Sequence, residues 1–375
     1  MMSKMLLDDF NSFLKDDTLL KEFRNQTILV TGATGLIGSL LVKLLMYANS
    51  KEELNCTIIA IVRNVEKGKK IFSEYLFDDK LKISVCDLSK DICIDTDVDY
   101  IVHTAAVTKS KEMVQYPVDN IDVSINGTRN MLELARKKNV KGMVYLSSME
   151  VYGQMEVSDH KISEHELGYI DLSAARSCYP EGKRMCECLC NAYAYQYGVR
   201  VMSARLAQTF GPGIMKDEDR VFAQFAWSAI KGNDIVLHTK GESEGNYVYT
   251  MDAINAILLL LVKGEGGQAY NVSNEDSHMT IAQMAQMVAE EITGGDIKVV
   301  FDIPENDKTF GYAPPTRMHL SNSKLKALGW VPTVSLKETY ERMIEYLCEY
   351  VHSQGQSIEL DFSVNSIIEI WDWYV

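Results

Sequence analysis

A glycine-rich turn near the start of the chain constrains its fold more than any other segment. Residues 27–31 form a short β-branched run typical of a buried strand, and apolar residues recur at helical spacing over 36–47. Between them, Gly32, Gly35 and Gly38 are spaced three residues apart. Strand, glycine turn and helix in this order predict a unit that holds the diphosphate of a dinucleotide.

Each glycine of this turn has its own expected role. Gly32 permits the tight turn, Gly35 lets the backbone approach a pyrophosphate, and Gly38 lets the helix lie close to the strand. The helix N-terminus then presents free N–H groups and a positive dipole end to the anion. The residues predicted to bind the cofactor here are Gly32, Thr34, Gly35, Leu36, Ile37 and Gly38.

The ends of the next two predicted strands bear on which cofactor binds. An acid after the second strand would hydrogen-bond the adenosine ribose, but the chain has Arg63 there. An arginine can pair with the 2′-phosphate of NADP, so Arg63 favours NADP slightly over NAD. The alternative is that Arg63 stacks on the adenine or points to solvent. Asp87 and Leu88 follow the third strand, where Asp87 is placed to meet the adenine edge or to serve as a plain turn residue.

Ser148, Tyr179 and Lys183 form a candidate proton-transfer group. A free tyrosine has a pKa near ~10 and is a poor base. Tyr179 and Lys183 stand four residues apart on a predicted helix, so we expect the ammonium to lower the pKa of the phenol. Ser148 ends a predicted strand, at the sheet edge where ligands bind. Asn126, in the preceding helix, is a candidate substrate-site residue that orders that helix or a water, or it is purely structural.

Alternating strands and helices over residues 25–207 predict an α/β fold, a doubly wound parallel (Rossmann) sheet. The predicted strands are 27–31, 57–62, 82–86, 100–103, 142–147 and 199–205, and the main helices are 36–47, 118–138 and 179–197. Residues 208–350 are predicted to form a smaller, interleaved α/β substrate lobe. Within them, the segment of about 246–265 is expected to pack with the first domain. Its predicted helices lie near 221–231, 252–263, 280–292 and 335–350, and its strands near 235–237, 269–272 and 297–301.

Both ends of the chain carry extensions. Residues 1–24 place Leu6, Phe10 and Phe13 at helical spacing, which predicts a helix packed on the body or on a partner. Residues 351–375 end in an aromatic run that would be unfavourable if exposed. We expect this tail to dock on the body or to form a subunit contact.

Charge and composition exclude several classes of function. The net charge of −14 argues against nucleic acid or an anionic membrane as a partner. The N-terminus does not resemble a signal peptide and no apolar run could span a membrane, so a cytoplasmic location is expected. The eight cysteines show no pairing pattern. Cys186 and Cys190 share a helix face but Cys188 does not, so reduced thiols and no metal are expected.

Seven motifs occur in the order typical of one enzyme family. They are residues 31–38, His103-Thr104-Ala105-Ala106, Asn126-Gly127-Thr128, 147–153, Tyr179-x-x-x-Lys183, 205–212 and Leu328-Gly329-Trp330. In these the chain resembles the extended short-chain dehydrogenase/reductase family. The resemblance implies a cofactor site that includes Ala105 and Ala106, Tyr179 as base, Lys183 as partner of the ribose and the phenolate, and Ser148 as hydroxyl partner. It also implies a nucleotide-sugar substrate and a homodimer formed through helices around 118–138 and 179–197.

Several positions narrow the resemblance. Sugar-nucleotide 4,6-dehydratases carry an aspartate where this chain has Met149, whereas UDP-glucuronate decarboxylases keep the glutamate at Glu150 without that aspartate. The resemblance therefore implies that Glu150 handles a proton near C5 of the sugar, the alternative being a solvated loop carboxylate. Arg317 and Gln208 are implied substrate contacts, Gln208 standing in place of a family asparagine. Gly245 stands where the family has a substrate-side arginine.

Three functions remain open on the sequence alone. The first is an epimerase or decarboxylase that oxidises a nucleotide sugar transiently at C4. The second is an NADPH-dependent 4-keto-sugar reductase, which Arg63 favours. The third is a non-enzymatic dinucleotide-binding protein, against which the intact Ser148, Tyr179 and Lys183 set argues.

Overall fold

The computed structural model describes residues 2–15, 18–90, 92–156, 160–303 and 316–353. The helices are α1 (Lys4–Leu14), α2 (Thr18–Lys21), α3 (Leu36–Glu52), α4 (Val65–Ile71), α5 (Ser110–Gln115), α6 (Pro117–Lys138), α7 (Cys178–Tyr197), α8 (Val221–Lys231), α9 (Thr250–Lys263), α10 (Ile281–Met287), α11 (Ser323–Lys326) and α12 (Leu336–Ser353). The strands are β1 (Thr27–Thr31), β2 (Thr57–Val62), β3 (Leu81–Val85), β4 (Tyr100–His103), β5 (Gly142–Ser148), β6 (Val201–Leu206), β7 (Gln208–Phe210), β8 (Ile235–Leu237), β9 (Glu244–Tyr249), β10 (Ala269–Val272), β11 (Asn274–Thr280) and β12 (Val299–Phe301).

A parallel sheet of seven strands forms the centre of the molecule, in the order β10-β6-β5-β4-β1-β2-β3. Its strands are nearly continuous apolar runs because helices cover both faces. One face packs on α3 and α9, where Val30 and Leu260 are fully buried. The other packs on α6 and α7 through residues such as Leu29 and Leu132. The predicted doubly wound α/β fold is confirmed.

The seventh strand corrects the predicted division of the chain. Residues 269–272 were expected among the elements of the second lobe, but β10 pairs with β6 at the edge of the large sheet. The preceding helix α9 packs against β5 and β6. A four-residue strand carries no local signal for the sheet it joins, because partner choice depends on tertiary packing.

The second lobe contains a three-stranded sheet, β11-β9-β7, and a two-stranded sheet, β12-β8. Its own core includes Phe210, Phe225 and Tyr340. The strands of the three-stranded sheet, β7, β9 and β11, were not predicted from the sequence. β9 and β11 read Glu-Gly-Asn-Tyr-Val-Tyr and Asn-Glu-Asp-Ser-His-Met-Thr, and so many polar residues hide the alternation that identifies a strand.

The N-terminal residues form a helix that packs on the body of the protein. In α1, Leu6 and Phe10 are buried in the core that also contains α3 and α9. Asp9 is buried too, and its carboxylate accepts hydrogen bonds from Tyr249 (2.5 Å) and Arg342 (2.7 Å). The predicted aromatic tail falls mostly on residues 354–375, which lie outside the described part of the chain.

Candidate active site

The glycine turn lies between β1 and α3, where backbone atoms leave little room for a side chain. Gly32 has a φ of +62°, and a Cβ placed there would come within 2.8 Å of backbone atoms of Ala105. A Cβ on Gly38 would lie 2.4 Å from the carbonyl oxygen of Gly32. Gly35 is exposed and caps α3 without a side-chain hydrogen bond, so the first N–H groups of the helix remain available. This arrangement fits the diphosphate of a dinucleotide.

The end of β4 closes one side of the turn. The Thr104 hydroxyl donates to the carbonyl of Thr31 (2.7 Å), and the Ala105 N–H donates to the Thr31 hydroxyl (3.3 Å). His103 bonds the same hydroxyl through Nδ1 (2.7 Å), and burial lowers its pKa to about 3, so it is neutral. The structure therefore brings Ala105, with Ala106 next in the chain, beside the glycine turn.

The residues predicted to meet the adenosine are more exposed. Arg63 is exposed directly after β2. Asp87 accepts hydrogen bonds from the backbone N–H (3.1 Å) and hydroxyl (2.6 Å) of Ser89, and these bonds lower its pKa. Its carboxylate is thus engaged within its own turn, as in the alternative role, and the adenine contact stays a prediction. Leu88 is buried, and its carbonyl accepts a bond from Asn130.

Ser148, Tyr179 and Lys183 come together at the carboxyl edge of the large sheet. Ser148 is the last residue of β5, and its hydroxyl acts on Tyr179, near the start of α7, by lowering the pKa of the phenol. Lys183 lies one helical turn further, with Nζ 5.6 Å from the centroid of the Tyr179 ring. The ammonium donates to the backbone carbonyl of Leu146 at 2.6 Å.

The electrostatics of Tyr179 correct one expectation. Burial, followed by the charge of Glu150, raises its pKa to about 12, while the Ser148 hydroxyl and the charge of Arg176 act in the opposite direction. Burial also lowers the pKa of Lys183 to about 8. We expected Lys183 to lower the pKa of the phenol, but its ammonium is directed at the Leu146 carbonyl, and desolvation dominates. The phenol is therefore protonated at neutral pH.

Glu150 has an arginine partner that the sequence reasoning missed. Nη2 of Arg176 donates to both carboxylate oxygens of Glu150, at 2.9 and 2.8 Å. Arg176 is buried in the short 3₁₀ turn before α7, and its Cζ lies 5.2 Å from the centroid of the Tyr179 ring. The sequence did offer one signal for Arg176, which stands about one helical turn before Tyr179 and could therefore have been predicted to lie near it. Met149 is buried in the core and has no proton to donate.

Two of the three predicted substrate contacts belong to the elements of the second lobe. Gln208 is half-buried in β7, opposite Tyr247 of β9. Arg317 is exposed, and its backbone pairs with that of Glu244, at the start of β9, in an isolated parallel β-bridge.

The third candidate is Asn126, whose role at the substrate stays a prediction. It is exposed on α6, whereas Ser124 of that helix faces Gly182 of α7. Because residues two apart point to different sides of a helix, α6 presents Ser124 and not Asn126 to the helix that carries Tyr179.

The cysteines and the membrane prediction can be checked over the described ranges. All eight cysteines are free thiols, with Cys186 and Cys190 buried and Cys188 exposed. No cluster of three or more His, Cys, Asp or Glu side chains within those ranges could hold a metal ion. Within the same ranges, no helix is both long and apolar enough to cross a membrane.

Known proteins resemble this chain over most of its length. UDP-glucuronic acid decarboxylase 6 of Arabidopsis thaliana is 30% identical over 323 residues, which cover 86% of this chain and 88% of that protein. UDP-glucuronic acid decarboxylase 1 of Xenopus tropicalis is 29% identical over 341 residues, covering 90% and 76%.

Solved structures show the same fold. UDP-glucose 4-epimerase of Thermotoga maritima, solved with UDP-glucose, superimposes with a TM-score of 0.70 at 24% identity, covering 87% of this chain and 100% of that one. UDP-glucuronic acid 4-epimerase of Bacillus cereus, in complex with UDP-glucuronic acid and NAD, gives a TM-score of 0.69 at 21% identity, with the same coverage.

A family model described as the NAD dependent epimerase/dehydratase family matches residues 28–273, from the first strand through the last strand of the large sheet. The matched region contains the glycine turn, Ser148, Tyr179 and Lys183. The chain is therefore an enzyme of the NAD-dependent epimerase/dehydratase family, within the extended short-chain dehydrogenase/reductases.

Proposed function

We propose that this enzyme oxidises a nucleotide sugar transiently at C4 and removes the C6 carboxylate as carbon dioxide. The observation that carries the proposal is the grouping of Ser148, Tyr179 and Lys183 at the sheet edge that also holds the glycine turn. The decarboxylase names of the two relatives support the choice of carboxylate loss.

The cofactor site is formed by the glycine turn, the uncapped start of α3 and the end of β4. When bound there, NAD supplies a reversible hydride acceptor. We propose NAD as the working cofactor, since the family is described by it. Arg63, exposed after β2, is the feature that favours NADP, and comparing the affinities of both cofactors for an Arg63→Ala variant tests its role.

The chain's own residues handle the proton of the sugar alcohol. Tyr179 accepts the proton of the 4-hydroxyl, and Ser148 hydrogen-bonds the same oxygen. Burial raises the pKa of Tyr179 to about 12. For Tyr179 to act as a base at neutral pH, its phenol must first lose its own proton, and this requires additional positive charge nearby. A bound NAD would bring that charge as its oxidised nicotinamide, because the effect of Arg176 is already contained in the raised pKa.

Loss of the carboxylate follows from the C4 ketone. The C5–C6 bond breaks, carbon dioxide leaves, and the electron pair moves onto the C4 oxygen as an enolate. C5 then takes a proton from solvent, and Tyr179 returns its proton to the C4 oxygen as C4 regains its hydride, so that bound NAD would be unchanged overall. Classical 4,6-dehydration is disfavoured because Met149 is a buried apolar side chain where a proton donor would be required.

Product analysis tests the proposal directly. Incubation with UDP-glucuronate and catalytic NAD should release carbon dioxide in molar equivalence to a UDP-pentose, and Tyr179→Phe should reduce the rate by roughly 10²–10⁴-fold with the fold retained. An epimerised uronate without carbon dioxide would replace decarboxylation with epimerisation. Stoichiometric consumption of NADPH with a 4-keto sugar would support the reductase instead.

We also propose that the enzyme is a homodimer formed through α6 and α7. These helices expose Val118, Ile121 and Met185 (67%, 38% and 49% exposed), and a groove of mainly apolar lining lies between them. Light scattering should report twice the 42.3 kDa chain mass, and Ile121→Asp should yield monomer. A monomeric parent protein would remove this proposal.

A further inference from the structure

Arg176 has hydrogen-bonding capacity that the described residues do not use. It is only 8% exposed, and its Nη2 is taken by Glu150. Nε and Nη1 are buried without a hydrogen-bond partner among the residues that the structure describes. Leaving buried donors of a charged group unpaired is costly, so these two nitrogens, which carry three N–H bonds, call for an acceptor that binds from outside the chain.

The position of Arg176 places that acceptor next to the reacting hydroxyl. Its guanidinium lies over the ring of Tyr179, with Cζ 5.2 Å from the ring centroid. Its partner Glu150 follows Ser148 by two residues, and the Ser148 hydroxyl accepts the Glu150 N–H (3.2 Å). A sugar held by Tyr179 and Ser148 therefore brings the substituents next to its reacting carbon within reach of Arg176.

The charges around Tyr179 favour an anion as the missing partner. Glu150 balances Arg176, and Glu218 balances Arg220 (2.7 Å), the other arginine whose charge acts on Tyr179. Lys183 is the remaining positive charge, and its ammonium donates to a neutral backbone carbonyl and not to a carboxylate. The group thus carries an excess of one positive charge in a desolvated site, where an opposite charge is strongly favoured. Because a guanidinium has donors and no acceptor, oxygen lone pairs are required.

We propose that the free N–H groups of Arg176 bind a carboxylate carried by the sugar, so that Arg176 selects an acidic nucleotide sugar over its neutral counterpart. The proposal rests on the proposed function for the identity of the substrate class. It concerns binding, and it does not require that the bound sugar be converted.

Paired affinities test this role without interference from turnover. All proteins carry Tyr179→Phe to block chemistry and are saturated with NAD, and calorimetry gives Kd for UDP-glucuronate and UDP-glucose. Arg176→Gln should weaken UDP-glucuronate by about tenfold to a hundredfold and UDP-glucose by less than about threefold. The matched control is Arg136→Gln, an exposed α6 arginine paired with Glu133, which should change neither affinity.

Glu150 requires two further variants, because Arg176→Gln leaves its carboxylate unpaired beside the sugar. The double change Arg176→Gln with Glu150→Gln removes both charges, and it should still lose the preference for UDP-glucuronate. Glu150→Gln alone frees a third donor of Arg176 and should tighten UDP-glucuronate while leaving UDP-glucose nearly unchanged. This variant keeps the proposal testable if Arg176→Gln does not fold.

The outcomes separate this proposal from the proposed function. Equal weakening of both ligands, an unchanged preference in the double variant, or no tightening in Glu150→Gln would overturn the role of Arg176. A selective effect of Arg176 in an enzyme that releases no carbon dioxide from UDP-glucuronate would refute the decarboxylase function alone. If neither UDP sugar binds, both are refuted.

Discussion

On the cofactor side of the site, a stretch of eight residues and the end of one neighbouring strand build the cradle. A Cβ on Gly32 would collide with backbone atoms of Ala105, and a Cβ on Gly38 would collide with backbone atoms of Gly32 and Ala33. On the sugar side, Glu150 meets an arginine 26 residues away, and strands β7, β9 and β11 come from three separate segments. Local backbone geometry thus fixes one half of the site, and long-range side-chain contacts fix the other.

Substituting one glycine on the cofactor side and one on the sugar side should give the largest difference in stability and in NAD binding. Gly32→Ala forces a side chain into a left-handed φ and against the backbone of Ala105, so we expect a loss of about 3 kcal/mol or more and of NAD binding. Gly245→Ala in β9 is the control, since a Cβ there meets no atom within 4 Å. Denaturant melts and NAD titrations measure both. Equal losses in the two variants would contradict the proposed contrast.

This contrast explains how much of the molecule could be predicted from sequence. The glycine spacing, the apolar strands and the interval between Tyr179 and Lys183 are local patterns, and the structure contains the corresponding turn, sheet and helix. Polar strands such as β11 and the placement of β10 depend on which elements pack together. No spacing rule connects Glu150 with Arg176, because the two residues lie 26 positions apart in the chain.

The direction of the Lys183 side chain was the other feature beyond reach of the sequence. Helical spacing correctly places Lys183 and Tyr179 on one face, but it does not show that the ammonium donates to Leu146 of the adjacent strand. That contact depends on how α7 packs against β5. The same packing buries Tyr179, and burial outweighs the nearby positive charge in setting its pKa.

The burial of Lys183 leads to a pH-dependent effect on stability. Its pKa is lowered from 10.5 to about 8 in the folded protein, so between these values the unfolded chain binds more protons, and stability rises with pH. The cost of burying the charge, at most about 3 kcal/mol, is fully present below pH 8 and disappears as pH rises toward 10.5.

Lys183→Met isolates that effect. The free energy of unfolding of the parent enzyme, relative to this variant, should increase between pH 8 and pH 10. Urea melts at several pH values measure the difference, and subtraction removes the contribution of other titrating groups. A difference that stays flat over this range would show that the ammonium is not desolvated.

Two tyrosines that hold α1 give a smaller and graded effect. Tyr249 donates to the buried Asp9, so Tyr249→Phe should cost about 1–3 kcal/mol because it removes a bond to a buried carboxylate. Tyr47 donates to Asn11 (2.6 Å) at an exposed site on the same helix, so Tyr47→Phe should cost about 0.5 kcal/mol or less. Thermal and urea melts compare them. Equal costs would indicate that burial does not determine the strength of this long-range contact.

Asn126→Ala should produce the smallest change. The sequence placed Asn126 near the substrate, whereas the structure exposes it on α6 and turns Ser124 toward α7. A substitution at such a surface position changes free energies by about 0.5 kcal/mol or less, so kcat/KM should stay within about twofold of the parent value. Steady-state kinetics on the substrate identified by product analysis measure this. A loss of tenfold or more would mean that α6 contributes its exposed face to the sugar side, and the helix-phase argument would then fail.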